Sequence, residues 1–307
     1  MLKDYTTYKI GGPAKHFFIA KTKEDLIGAV KTAKKLNLPV FILGGGSNLL
    51  ISDKGFDGLV IKIDISGMEL QGDKVVVGAG ASLTKLSYIL ADSGLTGLEW
   101  AAGIPGTVGG AIYGNAQAFG TKICDAIESV EAINLKTLKL ESFSREQCRF
   151  DLKNSIFKKN NLSGQENLAI VSAVLKFSKG NEEEIKNKIK EFLEYRKTRH
   201  PIEFPSAGST FVNPEIKITD KKLLDKYPEL NDYNAKGIIP AGYLIAKCGL
   251  AGKKIGQAQI SEKHSNFIIN LGGTNSEDVL TLIKLAQKEV KKNFGIELEP
   301  EVQFIGF

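Results

Sequence analysis

Two glycine clusters carry the strongest chemical suggestion in the chain. One is Leu43-Gly44-Gly45-Gly46-Ser47-Asn48-Leu49-Leu50. The other is Gly103-Ile104-Pro105-Gly106-Thr107-Val108-Gly109-Gly110-Ala111, with Asn115 close behind. Glycine has no Cβ, so its backbone N–H approaches a ligand closely and positive φ is sterically free. Successive N–H groups in such turns form concave anion-binding nests, and Ser47, Asn48 and Thr107 add neutral donors. Two loops of this kind can hold the diphosphate of a dinucleotide. A single glycine triplet is more often an ordinary turn; two long clusters, each adjoining a strand pattern, favour the ligand. Neither holds a complete G-x-G-x-x-G, and no G-x-x-x-x-G-K-[ST] occurs, so the Rossmann and P-loop routes to phosphate are unsupported.

Further residues are chemically suggestive but double-edged. In Phe150-Asp151-Leu152-Lys153-Asn154-Ser155-Ile156-Phe157-Lys158, Lys153 either points a charge into a site or lies solvated at a strand edge. Arg196 and Arg199 sit three apart at a predicted helix end and so share a face. Paired guanidiniums there suit a diphosphate; placement favourable to the helix dipole is the other reading. Ser209, in Pro205-Ser206-Ala207-Gly208-Ser209-Thr210, lacks the His/Asp partners and the G-x-S-x-G setting of a hydrolase nucleophile. It can still pass a proton, or simply shape a turn. Glu301 falls in a terminal run in which Glu301, Gln303 and Ile305 alternate with Val302 and Phe304, which predicts a strand over 298–305 with those two sets on opposite faces.

The elements that must position these residues alternate helix and strand. Thr22 and Asp25 form a capping-box pattern ahead of Leu26, Ala29, Val30, Ala33 and Leu36 at helical spacing. Strands are predicted over 40–43, 59–63, 74–77, 127–134 and 169–177. A short helix over 83–90 stops at Gly94; a charged one runs over 181–199; a last one, capped by Ser276, stops at Gly295. Residues 103–120 break all periodicity, and beyond the charged helix the pattern reads as short strands and glycine-rich turns. With 307 residues, 42% of them hydrophobic, the chain can bury a large core in two or three folding units. The net charge of +6 suits anionic small ligands, or merely spare surface lysines. No basic and aromatic interleaving marks a nucleic-acid footprint. Cys124, Cys148 and Cys248 are odd in number and scattered, and His16, His200 and His264 lack metal-ligand spacing, so neither a disulfide framework nor a metal site is expected. The opening MLKDYTTYKIGGP has no signal-peptide core, and no run of about 18 apolar residues exists. A cytoplasmic protein with no membrane contact and no obligate protein partner is expected.

Taken together, the stretches resemble one family: UDP-N-acetylenolpyruvoylglucosamine reductase, the flavoprotein that makes UDP-N-acetylmuramate for peptidoglycan. Seven elements stand in the family order: LGGGSNLL (43–50), GLEWAAGIPGTVGGA (97–111), RFDLKNSIFK (149–158), PSAGSTFVNP (205–214), PAGYLIAKCGLAG (240–252), ISEKHSNFIIN (260–270) and LEPEVQFIG (298–306). The short path from Arg199 to Ser209 looks like the compact form, without an extra tyrosine-bearing loop. The resemblance implies an α+β fold: a two-part FAD-binding domain of the vanillyl-alcohol-oxidase (PCMH) type, with subdomains over 1–66 and 67–195, followed by a smaller α+β substrate-binding domain over 196–307. FAD would lie between the lobes, its diphosphate embraced by Gly44, Gly45, Gly46, Ser47, Asn48 and by the stretch from Gly103 to Ala111, with Asn115.

The resemblance also implies a reaction. NADPH reduces the flavin, a hydride passes from flavin N5 to carbon 3 of the enolpyruvyl sugar nucleotide, and a proton reaches carbon 2. Ser209 matches the family's proton donor, and Glu301 its glutamate that stabilises the intermediate. At the third family position the usual pattern is Tyr-Arg-x-Ser, whereas this chain has Leu152-Lys153-Asn154-Ser155. Lysine keeps the charge and loses the bidentate fork. Arg196, Arg199, Tyr243 and His264 match positions near the substrate. Competing readings are a flavin-binding paralogue with weak or altered activity, a small-alcohol or sugar oxidase on the same fold, and a non-catalytic flavin binder. Absence of His from both glycine clusters argues against the oxidases that tether FAD covalently; presence of Ser209 and Glu301 argues against the non-catalytic binder.

Overall fold

Helix starts and glycine stops read from the sequence divide the chain into segments that close two separate cores. The computed structural model describes residues 1–163 and 168–307. Segments Ala14–Gly46 and Phe56–Thr198 form the first unit; Met1–Pro13, Ser47–Gly55 and Arg199–Phe307 form the second.

In the first unit, Thr22 Oγ1 accepts the Asp25 N–H at 3.0 Å while the Asp25 carboxylate accepts the Thr22 N–H at 3.0 Å. This reciprocal cap satisfies two otherwise orphaned donors and starts the helix Lys23–Lys35. Leu26, Val30 and Ala33 recur on its buried face; burying Leu26 and Val30 contributes about 1.5–3 kcal/mol each. Strands Ala14–Ala20 and Val40–Leu43 flank Phe56–Ile63 and run parallel to it, as the intervening helical crossover permits. A five-stranded antiparallel sheet follows, in the order Leu140–Ser144, Ile127–Asn134, Leu168–Lys176, Lys74–Gly78, Met68–Gln71. The helix Leu83–Asp92 is capped by Ser82 and ends before Gly94, at φ 65°. The charged helix Glu182–Arg199 buries Ile185 and Ile189 against Ala91 and Ala102.

The stretch over 103–120 is more ordered than its sequence suggests. It contains the helix Val108–Tyr113, capped by Thr107, and a hairpin of Gln117–Ala118 with Thr121–Lys122. Two glycines in six residues hide that helix from propensity; burial of Val108, Ala111 and Ile112 sustains it.

The second unit holds three short helices, Lys221–Lys226, Leu230–Lys236 and Ala241–Lys247, where strands and turns were expected. At six or seven residues they are too short to display a helical period. An antiparallel sheet of Lys254–Ile255, Ala258–Ile260 and Ile268–Asn270 packs under the helix Ser276–Phe294. That helix buries Val279, Leu282, Ile283, Ala286 and Val290 and stops at Gly295, φ 71°. Its cap is Asn275, not Ser276. Asn275 Oδ1 accepts the Asp278 N–H at 2.8 Å, while Ser276 donates its N–H and hydroxyl to Asp53 at 2.6 and 2.8 Å. The closing strand is shorter than expected: only Gln303–Ile305 pairs, parallel to Leu49–Ile51. Pro300 has no N–H to give a ladder and makes an isolated bridge to Phe211. Val302 and Phe304, expected on one face, therefore diverge, at 5% and 38% exposure.

Replacing Asn275 by Ala removes the cap and should lower stability by about 1 kcal/mol. The check is a urea midpoint shifted down at unchanged slope; an unmoved midpoint would mean that the Asp53–Ser276 pair alone anchors the helix start.

Candidate functional site

The two glycine clusters meet in the first unit, backbone against backbone. A Cβ on Gly45 would stand 2.6 Å from Gly106 Cα and 3.1 Å from the Thr107 nitrogen; one on Gly44 would stand 3.1 Å from Thr107 Oγ1. Any side chain at Gly45 has to push the loops apart. Lys62, on the strand Phe56–Ile63, donates to the Gly44 carbonyl at 3.2 Å. The second cluster is fastened from the helix Leu83–Asp92: Leu83 N–H to Gly106 O at 3.2 Å, and Thr84 Oγ1 to Ile104 O at 2.8 Å.

Hydrogen bonding separates the expected donors into two groups. Val108 and Gly109 give their N–H groups to Ala81 O and Ala79 O, Gly110 to Thr107 Oγ1, and Ala111 to Thr107 O. Gly109, Gly110 and Ala111 are thus committed within the protein, and Gly109 is glycine because a Cβ would stand 2.7 Å from that of Ala79. The N–H groups of Gly45, Gly46, Gly103 and Gly106 have no acceptor among the described residues. Three of these four glycines have positive φ: Gly46 at 63°, Gly103 at 76° and Gly106 at 135°. Gly45 and Gly46 thus offer two successive N–H groups without an acceptor, as an anion nest requires, and at Gly45 and Gly103 a Cβ would clash at 2.6 and 2.8 Å; this donor set fits a diphosphate.

Asn115 is buried, at φ 43°. Its Nδ2 donates to Asp151 O at 2.8 Å, and its Oδ1 has no partner among the described residues. Ser155 Oγ donates to Tyr113 O at 2.7 Å. These bonds tie the end of the helix Val108–Tyr113 to a tight turn in which Asp151 and Asn154 exchange backbone bonds at 3.1 and 3.2 Å. Lys153 sits in that turn at φ 51°, and Lys158 Nζ donates to its carbonyl at 2.9 Å. The sequence marked Asn115 as a ligand contact; in the structure its Nδ2 braces the turn that carries Lys153.

In the second unit Ser209 and Glu301 come together around one carbonyl. Thr210 O accepts the Glu301 N–H at 2.8 Å, and Val212 N–H reaches Glu299 O at 3.0 Å. Asn266 clamps the same segment. Its carbonyl accepts Thr210 N–H at 2.7 Å, its Oδ1 accepts Phe211 N–H at 3.0 Å, and its Nδ2 donates to Phe211 O at 2.9 Å. Asn48 Nδ2 donates to Glu301 O at 3.1 Å, so this expected ligand donor also braces the glutamate's backbone. Both Ser209 and Glu301 are half-buried. The pair offers a hydroxyl and a carboxylate on a backbone fixed from three sides.

Of the remaining candidates, His264 meets His200, the neighbour of Arg199, with ring centroids 5.4 Å apart, and lies beside Gly242, the neighbour of Tyr243. Tyr243 donates to Glu229 at 3.3 Å and stacks edge-on against Tyr233; desolvation first, then Glu229, pushes its phenol up to about 12. His264 Nδ1 accepts the Asn266 N–H at 3.2 Å, which assigns the proton of the neutral ring to Nε2. Burial holds this imidazole below its usual pKa. Arg199 is exposed, whereas Arg196 is half-buried, with bonds to Trp100 O and Ala102 O. The two arginines thus stand in different settings, one tied to backbone carbonyls and one exposed. The roles of Asn266, Ser155, Thr84 and Lys62 were missed, since side chain to backbone bonds leave no periodic trace. Among the described residues no group of His, Cys, Asp or Glu could hold a metal ion, and no helix is long and apolar enough to cross a membrane.

Comparison with known proteins adds the following. Residues 200–305 match the model of the UDP-N-acetylenolpyruvoylglucosamine reductase C-terminal domain, and residues 14–137 match that of an FAD binding domain. A UDP-N-acetylenolpyruvoylglucosamine reductase of Caldanaerobacter subterraneus subsp. tengcongensis is 38% identical over 99% of this chain and 92% of its own length. That of Lachnoclostridium phytofermentans is 39% identical over 99% and 91%. The crystal structure of UDP-N-acetylenolpyruvylglucosamine reductase (MurB) from Thermus caldophilus superposes with a TM-score of 0.78 at 32% identity, over 99% of this chain and 97% of that one.

The depressed His264 pKa has a stability consequence. The unfolded chain binds the proton near pH 6.5 and the folded chain only below that. Stability is therefore fully present above about pH 6.5 and declines as pH falls toward the folded value. NMR should place the His264 titration midpoint below 6.5, about the value for a free imidazole, and His264→Gln should flatten this part of the pH–stability curve. A midpoint at or above the free value would refute the assignment.

Proposed function

The chain belongs to the UDP-N-acetylenolpyruvoylglucosamine reductase family, and from that premise we propose that it reduces UDP-N-acetylglucosamine enolpyruvate to UDP-N-acetylmuramate, a peptidoglycan precursor, with NADPH as the electron source and FAD as cofactor. The chemistry bound FAD supplies is two-electron hydride carriage, from NADPH to carbon 3 of the enolpyruvyl group. The protein supplies binding, orientation and protons. The N–H groups of Gly45, Gly46, Gly103 and Gly106 hold the cofactor diphosphate. NADPH and sugar nucleotides are cytoplasmic metabolites, so the cytoplasm is the proposed site of action.

The observation that carries the reading is the shared carbonyl of Thr210, which accepts the Glu301 N–H at 2.8 Å one residue after Ser209. Hydride addition at carbon 3 leaves an enolate-like charge that has to be met by a proton at carbon 2. Ser209 holds a hydroxyl proton for that carbon. Glu301 and Lys153 stabilise the developing charge, Lys153 as a point charge where the family carries an arginine fork. Arg199, Tyr243 and His264 are the candidate substrate contacts, His264 through its Nε2–H.

Lys153 gives a second reading some weight: a paralogue that binds FAD and turns over weakly. Absorbance bands at about 370 and 450 nm in purified protein test the flavin. NADPH oxidation that depends on the enolpyruvyl sugar nucleotide tests the reaction. With flavin bound and no such oxidation, the paralogue stands. Ser209→Ala should leave flavin reduction by NADPH intact and slow substrate-dependent reoxidation about 10²–10⁴-fold; equal loss in both half-reactions would remove Ser209 as the proton donor. Gly45→Ala should yield protein depleted of flavin, and retention of wild-type flavin content would remove the loop contact as the cradle.

A further inference from the structure

Arg196 is a cation in an unusual setting. Its guanidinium donates through Nη2 to Trp100 O at 2.8 Å and through Nε to Ala102 O at 3.2 Å, and among the described residues no carboxylate acts on its charge. Burial, the main influence on it, disfavours the charge. Its Cζ stands 5.3 Å from the centroid of the Phe119 ring. Phe119 stacks on Phe192 with centroids 4.1 Å apart and rings 15° from parallel, and Tyr195 meets it edge-on at 5.2 Å. Phe119 occupies the tip of the hairpin of Gln117–Ala118 with Thr121–Lys122 at φ 52°. A bulky residue with positive φ is strained there, so the tip is held by what the ring does.

The consequence lies in peptide geometry. In a planar trans peptide the carbonyl of one residue and the N–H of the next point in opposite directions. Drawing Ala102 O onto Arg196 turns the Gly103 N–H away from that side chain. Gly103 is one of the four glycines whose N–H has no acceptor among the described residues. Its own position is fixed too, since a Cβ there would stand 2.8 Å from Leu193 Cδ2 and 3.4 Å from Arg196 Cδ. Thr84 Oγ1 holds the carbonyl of Ile104, two residues beyond Ala102, at 2.8 Å.

We propose that Arg196, locked by the Phe119–Phe192 stack, is a positioning residue that orients the Gly103 peptide toward the cofactor diphosphate, and is not a ligand of the substrate diphosphate. This rests on the reading of the glycine clusters as the FAD cradle. It assigns the hairpin tip a role in flavin affinity, although Phe119 itself need touch no ligand.

The test is titration of apoprotein with FAD, read by flavin fluorescence, alongside KM for the enolpyruvyl sugar nucleotide measured at saturating FAD. Arg196→Met should weaken FAD binding by about tenfold, the loss of one well-placed hydrogen-bonded anchor. KM for the sugar nucleotide should stay within about twofold. Arg196→Lys, which keeps the charge but not the fork, should fall between Met and wild type. Phe119→Asn, which suits the positive φ and removes the ring, should weaken FAD binding even where Arg196→Met does not fold. FAD affinity unchanged in Arg196→Lys and Phe119→Asn, or a rise confined to KM for the sugar nucleotide, overturns the proposal. Wild type that binds no FAD would instead sink the functional reading beneath it.

Discussion

Everything in the first unit's candidate site depends on one close approach, that of the Gly45 backbone to the Gly106 backbone. A single methyl at Gly45 would lie 2.6 Å from Gly106 Cα, well inside van der Waals contact. Because the loops touch, their unpaired N–H groups are carried on one contiguous piece of backbone and not two. The elements around them serve that contact. The strand Val40–Leu43 runs into the first cluster, the capped helix Leu83–Asp92 holds the second by Gly106 O and Ile104 O, and Thr107 turns the chain into the next helix. A loop that donates outward must have its carbonyls satisfied inward, and Lys62, Leu83, Thr84 and Arg196 do that by donating to Gly44 O, Gly106 O, Ile104 O and Ala102 O.

The second unit solves a different problem with the same means. A serine and a glutamate far apart in sequence are brought to one carbonyl by a short irregular pairing that Pro300 prevents from growing into a sheet. Such a pairing alone is weak, so side-chain amides reinforce it. Asn266 makes both halves of a peptide-like exchange with Phe211, and Asn48 holds the Glu301 carbonyl. An amide presents donor and acceptor together, which is why asparagine rather than serine or aspartate suits these places.

Long, strongly periodic elements were legible in the sequence. The helix after Thr22 and the strands over 40–43 and 127–134 announced themselves through spacing, caps and stops. The helices Val108–Tyr113 and Ala241–Lys247 did not, because glycine content and shortness erase the period. The displaced cap at Asn275 was hidden by a bond to Asp53, more than two hundred residues away. At the candidate site, glycine identity singled out two loops that touch in the structure but could not tell a free N–H from a packing requirement. Gly106 and Gly109 look alike in sequence, yet one N–H is free and the other is held by Ala79 O. The convergence of Ser209 and Glu301 came from the family resemblance, as neither residue carries a local signal of its own.

The exchange of arginine for lysine at position 153 is best weighed against the backbone that holds it. A guanidinium fork needs its stem aimed within narrow limits to meet a carboxylate with two bonds, whereas an ammonium on four methylenes tolerates more play. Here the stem starts from a left-handed residue, φ 51°, in a turn closed by Asp151 and Asn154 and tied through Asn115 and Ser155 to the helix behind the glycine loop. The turn is fixed, so the lost directionality lies only in the side chain. Electrostatic stabilisation by a point charge falls gently with distance while hydrogen bonding falls steeply. In the proposed reaction a well-anchored lysine would therefore retain the longer-ranged part of the effect of the family's arginine and give up the directional part.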